Sequence, residues 1–230
     1  MHEGAELTLP PHSTRHIQVL RLQPGDGLTV FNGEGGEWDA TVTRMGRQDV
    51  DLRIGAHQPG DCELACPVTI ALGMPANERM DALVEKATEL GVAAIQPLMC
   101  ARSVLKLSGD RAEKRRAHWQ AVAVAAAEQS GRTRVPTVAP ILALDRWLAD
   151  VGPTTGARHV LSFAADAAGP ATLLQARGPV LLLSGPEGGL DPREEALARQ
   201  AGFAPLSLGP RVLRADTAPL AALSLLGLAD

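Results

Sequence analysis

Glu187, Arg211, Arg214 and Asp216 sit in two short stretches near the carboxyl end of the chain, each rich in glycine and proline. The first runs Leu183-Ser184-Gly185-Pro186-Glu187-Gly188-Gly189, the second Leu208-Gly209-Pro210-Arg211-Val212-Leu213-Arg214-Ala215-Asp216. Gly185, Gly188, Gly189 and Gly209 let backbone approach a ligand closely, and the prolines stiffen the loops. Neither stretch is a Walker loop or a G-x-G-x-x-G turn, and neither carries Lys among its glycines. A phosphate cradle is therefore disfavoured. A flat, uncharged ring such as adenine, read by backbone N–H and C=O groups, suits these loops better. The plainer alternative is a pair of tight turns. Two such loops, with Arg211, Arg214 and Asp216 crowded into one of them, favour a site.

Positioning those residues requires two strand–loop–helix units. Val180 to Leu183 is an apolar run closed by Gly-Pro, which predicts a buried strand. Asp191, Pro192 and Glu194 predict a helix start, with a cap, a proline at the first helical position and a carboxylate three residues after the cap. Leu206 to Leu208 predicts a second short strand. Asp216 or Thr217 then caps a last helix with Pro219 in its first turn. Side by side, two such units open a cleft at the carboxyl ends of their strands, where α/β proteins bind small molecules.

The pair S-G-P-E-G-G and L-G-P-R-V-L-R-A-D-T resembles the C-terminal signature of the SPOUT methyltransferases, and more narrowly the RsmE family, which methylates N3 of a uridine in small-subunit (16S) ribosomal RNA. The words N-E-R-M-D-A-L-V-E-K-A-T-E-L-G-V-A-A-I-Q-P-L and Glu128, Gln129 and Arg132 resemble the same family. The likeness spans residues 67–230, and more loosely 15–55, where V-L-R-L-x-x-G-D and F-N-G are similar to the family's PUA-like barrel. The resemblance implies an α/β fold: a SPOUT-type parallel sheet with a C-terminal deep trefoil knot, preceded by a small PUA-like β-barrel that binds RNA. The corresponding domains are 1–66 and 67–230. It implies S-adenosylmethionine as methyl donor, held by Leu183, Ser184, Gly185, Glu187, Gly188, Gly189, Leu208, Gly209, Val212 and Leu213. It implies a target near the decoding region of the 30S subunit, and a homodimer formed through the C-terminal domain. A ribose 2′-O-methyltransferase of the SPOUT class is a second reading. An RNA-binding assembly factor with a disused donor site is a third.

Composition bounds these readings. The chain has 230 residues, 45% of them hydrophobic, enough for one large or two modest cores. With no Tyr, three Phe and three Trp, a row of base-stacking aromatics is not available. No apolar run is long enough to span a membrane and no signal peptide heads the sequence. Three cysteines, an odd number, fit a reducing compartment, the cytoplasm. Cys62 and Cys66 have no matching His or Cys pair nearby, so no metal site is expected.

The net charge of -4 is unevenly spread. Residues 1–66 hold five arginines against ten acids, whereas 102–134 hold eight basic residues against three acids. Any RNA contact should therefore fall on the middle of the chain.

In the first third, Leu28–Phe31, Glu37–Met45 and Asp49–Ile54 alternate or are β-branched between glycine turns, predicting an antiparallel barrel. Arg15, His16 and Arg21 are its RNA-contact candidates, with plain solvated charges as the alternative. Beyond a linker at Gln58–Asp61, Val68–Leu72 and Val92–Leu98 flank a helix capped by Asn77 and ended by Gly91. Its stripe is Met80, Leu83, Val84, Ala87 and Leu90. This is a parallel βαβ unit. Asp110–Ser130 then predicts a helix about 30 Å long. Trp119, Val122 and Ala126 line one side, and Arg111, Arg115 and His118 another. Arg102, Arg111, Arg115 and Arg132 are the candidates for RNA phosphates. His159 is assigned no role.

If the family's reaction holds, uracil N3 must lose a proton and spread negative charge to O2 and O4. Arg211 and Arg214 are then expected to steady that charge, and Asp216 or Glu187 to accept the proton. For Asp216 a plain helix cap is the alternative; for Glu187, a solvent-facing turn.

Overall fold

The computed structural model describes residues 1–76, 78–152 and 156–228. Asn77, the expected helix cap, lies outside the described residues. The chain forms two compact units. One contains Met1–Cys62 with Arg132–Arg134, the other Glu63–Gly131 and the chain from Val135 onward.

The first unit contains β1 (Glu6–Thr8), α1 (Pro11–Val19), β2 (Gly27–Val30), β3 (Glu37–Met45) and β4 (Val50–Gln58). The strands form one antiparallel sheet of order β1-β4-β3-β2. Along β3, Trp38, Ala40 and Val42 are buried while Asp39, Thr41 and Thr43 are exposed, the two-residue period of a half-buried strand. They pack with Ile17, Val50, Leu52 and Ile54. Nothing in the sequence pattern announces α1. It has nine residues and buries only Thr14 and Ile17, so packing rather than propensity holds it. Arg132–Arg134 also belong to this unit. The Gly35 N–H donates to the Thr133 carbonyl at 3.1 Å, and Arg134 Nε donates to Asp61 at 3.1 Å.

The second unit contains β5 (Val68–Gly73), α2 (Glu78–Glu89), β6 (Ala94–Met99), α3 (Gly109–Ser130), β7 (Thr137–Val138), β8 (Leu142–Ala143), α4 (Leu144–Asp150), β9 (Ala157–Leu161), α5 (Ala171–Leu174), β10 (Val180–Ser184), α6 (Pro192–Gln200), β11 (Ala204–Leu206) and α7 (Thr217–Gly227). The sheet is parallel, in the order β11-β9-β10-β5-β6-β7, with β8 also on β6. All five residues of β10 are buried. Leu182 enters the core made with Ile70, Trp119 and Leu223, and Leu181 and Leu183 enter the opposite one with Trp147 and Phe203. A strand covered on both faces must be apolar throughout, as Val180–Leu183 is.

Several details depart from the sequence pattern. The α2 stripe ends at Ala87: Leu90 is 36% exposed because the helix stops at Glu89, where the Gly91 N–H turns back to the Thr88 carbonyl. On α3 the buried line is Trp119, Ala123 and Ala126, and Val122 is only partly covered. His118 does not stand free beside Arg111 and Arg115. Its Nε2 lies 2.9 Å from Asp81 Oδ2, and Trp119 Nε1 donates to Asp81 Oδ1 at 2.9 Å, so one carboxylate of α2 pins α3. The strand expected over Leu206–Leu208 ends at Leu206, which leaves Leu208 in the following loop. No described helix is long and apolar enough to cross a membrane.

The contrast between Leu182 and Leu90 is measurable. Leu182→Ala should lower unfolding stability by about 2–5 kcal/mol. Leu90→Ala should change it by no more than about 0.5 kcal/mol, both read from urea midpoints at constant slope.

Candidate active site

The carboxyl ends of β9, β10 and β11 open into one cavity of about 540 Å³. Its walls are Leu161–Phe163 after β9, Ser184–Leu190 after β10, and the segment from Leu206 to Ala215, closed by Ala218 of α7. β9 lies between β11 and β10 in the sheet, so its end forms the middle of the floor.

The wall after β10 is held from four directions. Within it, the Gly189 N–H donates to the Pro186 carbonyl at 2.8 Å. At its far end Asp191 and Glu194 form the reciprocal cap foreseen in the sequence: the Glu194 N–H donates to Asp191 Oδ1 at 2.7 Å and the Asp191 N–H to Glu194 Oε2 at 3.0 Å. The other Glu194 oxygen accepts the Ala101 N–H at 2.7 Å, tying the wall to the turn after β6. Arg102 reaches from that turn and donates to the carbonyls of Gly188 at 2.8 Å and Leu190 at 3.3 Å. On the other side Glu187 Oε1 accepts the Ala76 N–H at 2.9 Å and lies 3.6 Å from Arg79. Gly185 permits this tight fold, since a Cβ there would sit 2.6 Å from the Leu190 nitrogen.

The wall after β11 is tied more sparsely. The Ser207 N–H donates to the Ala168 carbonyl at 2.8 Å, and Gly209 takes φ +107°, a conformation open chiefly to glycine. Arg211 and Arg214 are exposed on it and pair with no acid among the described residues. Val212 is 84% exposed at the rim. Ser162 links the walls: its N–H donates to the Leu206 carbonyl at 2.9 Å and its hydroxyl to Glu195 of α6 at 2.7 Å.

Ser184, Gly185, Glu187, Gly188, Gly189, Leu208, Gly209, Arg211, Val212, Leu213 and Arg214 all line the cavity. Four other residues singled out in the sequence stand elsewhere. Leu183 is 0% exposed, because the alternation of β10 turns it into the core with Trp147, and Ser184 is the first residue to reach the cavity. Asp216 neither lines the cavity nor caps α7. It stands at the N-cap position in helical backbone, where the Arg214 carbonyl accepts the N–H groups of Thr217 and Ala218, and its side chain makes no cap bond, with Oδ1 buried and unpartnered. Arg102, expected on RNA, is exposed and donates from one guanidinium nitrogen to the loop carbonyls. Arg132 is 3% exposed and offers no surface to a phosphate. Arg15, Arg21, Arg111 and Arg115 are exposed. Nor is Glu187 a free turn residue, since it bridges to Ala76 and Arg79.

Sequence reasoning missed Arg79, Leu161, Ser162 and Phe163. The last three stand at the end of β9, and only the order of strands places that end between the other two. Nearby, Cys100 donates its N–H to the Ser103 hydroxyl at 3.0 Å. Burial, with the Glu194 carboxylate adding to it, pushes its thiol up to about 12. His159 is 6% exposed within β9, its Nδ1 unpartnered, and burial lowers its pKa.

Residues 62–227 match the family model for an RNA methyltransferase domain, and residues 9–55 the model for an RNA methyltransferase PUA domain. The chain is 38% identical over 224 residues to ribosomal RNA small subunit methyltransferase E of Synechocystis, covering 96% of this chain and 72% of that protein. It is 31% identical to the protein of that name in Bacillus subtilis, covering 97% and 90%. A crystal structure of the Neisseria gonorrhoeae protein of that name, bound to S-adenosyl methionine, superposes with a TM-score of 0.90 at 36% identity, covering 97% of this chain and 92% of that one. With its glycine-walled cavity at the ends of three parallel strands, this chain belongs to the ribosomal RNA small subunit methyltransferase E family.

Proposed function

We propose that this chain transfers a methyl group from S-adenosylmethionine to N3 of one uridine in small-subunit ribosomal RNA. The observation that carries the reading is the single cavity in which glycine backbone and the unpaired Arg211 and Arg214 meet. Its volume lies within the range of about 300–1,000 Å³ usual for small-molecule sites. Leu161, Leu206, Leu208 and Leu213 give it apolar walls, and the loops present backbone amides and carbonyls to the edge of a ring. These features fit an adenosyl group. Ser184, Gly185, Gly188, Gly189, Leu208, Gly209, Val212 and Leu213 would hold the donor, with Leu183 supporting them from below. When bound, the donor supplies a methyl group on a sulfonium.

The residues of the chain do the rest. The clamped wall fixes where the methyl group stands, which is most of what a direct displacement needs. Arg211 and Arg214 counter the negative charge that spreads over the uracil oxygens as the N3 proton leaves. Of the two carboxylates considered for that proton, Glu187 lines the cavity and Asp216 does not, so Glu187 takes the role.

Further features complete the proposal. The sequence divides into an RNA-binding PUA-like barrel over about 1–66 and a knotted catalytic domain over 67–230. Arg15, Arg21, Arg111 and Arg115, all exposed, contact RNA phosphates. Two copies pair through the C-terminal domain, and the protein works in the cytoplasm.

Two measurements test the reaction. Mass spectrometry of small-subunit rRNA nucleosides from cells lacking the gene should show loss of N3-methyluridine, and an unchanged level would sink the reading. Arg214→Ala should lower turnover by about a hundredfold, the usual scale for one charge-stabilising donor, while donor affinity by calorimetry stays within about threefold. Wild-type turnover in that variant would remove Arg214 from the reaction.

A further inference from the structure

Beyond the Glu187 wall lies a second cavity, of about 480 Å³, lined by Ala76, Glu78, Arg79 and Glu187. Among the described residues, Arg79 and Glu187 alone line both cavities. Their separation of 3.6 Å is an ion-pair contact but too long for a hydrogen bond. The hydrogen bond Glu187 does make is with the Ala76 N–H. Among the described residues the Arg79 guanidinium, 44% exposed, therefore spends none of its donors. A carboxylate with spare lone pairs and a guanidinium with spare N–H groups stand side by side where two cavities meet.

That pairing matches one nucleobase edge. The Watson–Crick edge of uracil offers an N3–H donor flanked by the O2 and O4 acceptors. Cytosine reverses the pattern, with an acceptor at N3 and a donor at N4. A carboxylate beside a guanidinium accepts from the first and donates to its neighbour, but leaves both groups mismatched against the second.

We propose that Arg79 and Glu187 together read the Watson–Crick edge of the acceptor uracil, which enters through the second cavity. The inference rests on the uridine-N3 reading above and deepens it. It makes Arg79 a catalytic and specificity-determining residue. Glu187 takes the proton from N3, and the electron pair left there delocalises onto O2 and O4. Arg79 donates to one of those oxygens and stabilises the charge. N3 then forms its bond to the donor's methyl carbon, the sulfur–carbon bond breaks with its electron pair kept on sulfur, and Glu187 returns its proton to water.

The test uses the full chain and transcripts of small-subunit rRNA, one with the mapped target uridine and one with cytidine there. In the absence of donor, the uridine transcript should bind the wild-type protein about tenfold more tightly, the scale of one good base-edge contact. Arg79→Ala should abolish that preference and lower turnover on the uridine transcript by about a hundredfold, with donor affinity within about threefold of wild type. Arg79→Lys, which keeps the charge without the fork, should recover part of the turnover. Retained preference and turnover in Arg79→Ala would overturn the proposal. So would a loss of donor affinity with the preference intact, which would make Arg79 part of the donor pocket. If wild-type product analysis finds a methylated nucleoside other than N3-methyluridine, the uridine-N3 reading fails first. N3-methyluridine with an unaffected Arg79→Ala variant removes this inference alone.

Discussion

Much of the site depends on one buried carboxylate. Glu194 is 7% exposed, and its two oxygens accept backbone N–H groups from Ala101 and Asp191. A buried negative charge is tolerable only where hydrogen bonds replace its water, and two amides plus the start of α6 do so here. The same contacts set the geometry. One oxygen fixes where the glycine wall enters α6, and the other fixes that wall against the turn after β6. Arg102 and Glu187 extend the bracing to either side. The loop is therefore held by Arg102 and Glu194 on its backbone and by its own Glu187 on the Ala76 amide, with proline adding only locally.

The two walls of the cavity are built differently, and the difference suits the roles proposed for them. The wall after β10 is tied by charged side chains to elements distant in sequence. The wall after β11 is tied mainly by backbone bonds, such as that from Ser207 to Ala168, and leaves Arg211 and Arg214 exposed. A methyl donor is best held by the fixed wall, since displacement tolerates little misalignment. Unpaired guanidinium groups on the other wall keep their donors available for whatever charge the acceptor brings. Asp216, close to both arginines in sequence, stands at the start of α7 and does not line the cavity.

Features written in neighbouring residues were legible from the sequence. The reciprocal cap of Asp191 and Glu194, the buried run Val180–Leu183 and the βαβ unit around α2 all depend on spacings of a few residues. What escaped depends on contacts across the sheet. Glu187 meets Ala76 across 111 positions, which removes it from the class of idle turn residues. The floor formed by Leu161–Phe163 follows from β9 lying between β11 and β10, an order no local pattern encodes. Leu183 is buried as its apolar run predicts, and the cavity lining begins one residue later at Ser184, a boundary that only the packed sheet fixes. Arg132 carried a family signature, but burial decided its availability.

The return of Arg132–Arg134 to the first unit bears on how this protein is made. Gly35 finds its partner in Thr133, and Asp61 finds Arg134, only after the whole of α3 has been synthesised. A module that looks like an N-terminal cassette is thus completed by residues emerging much later from the ribosome. Vectorial synthesis, which lets many leading domains finish early, here brings the last three residues of the first unit only after α3.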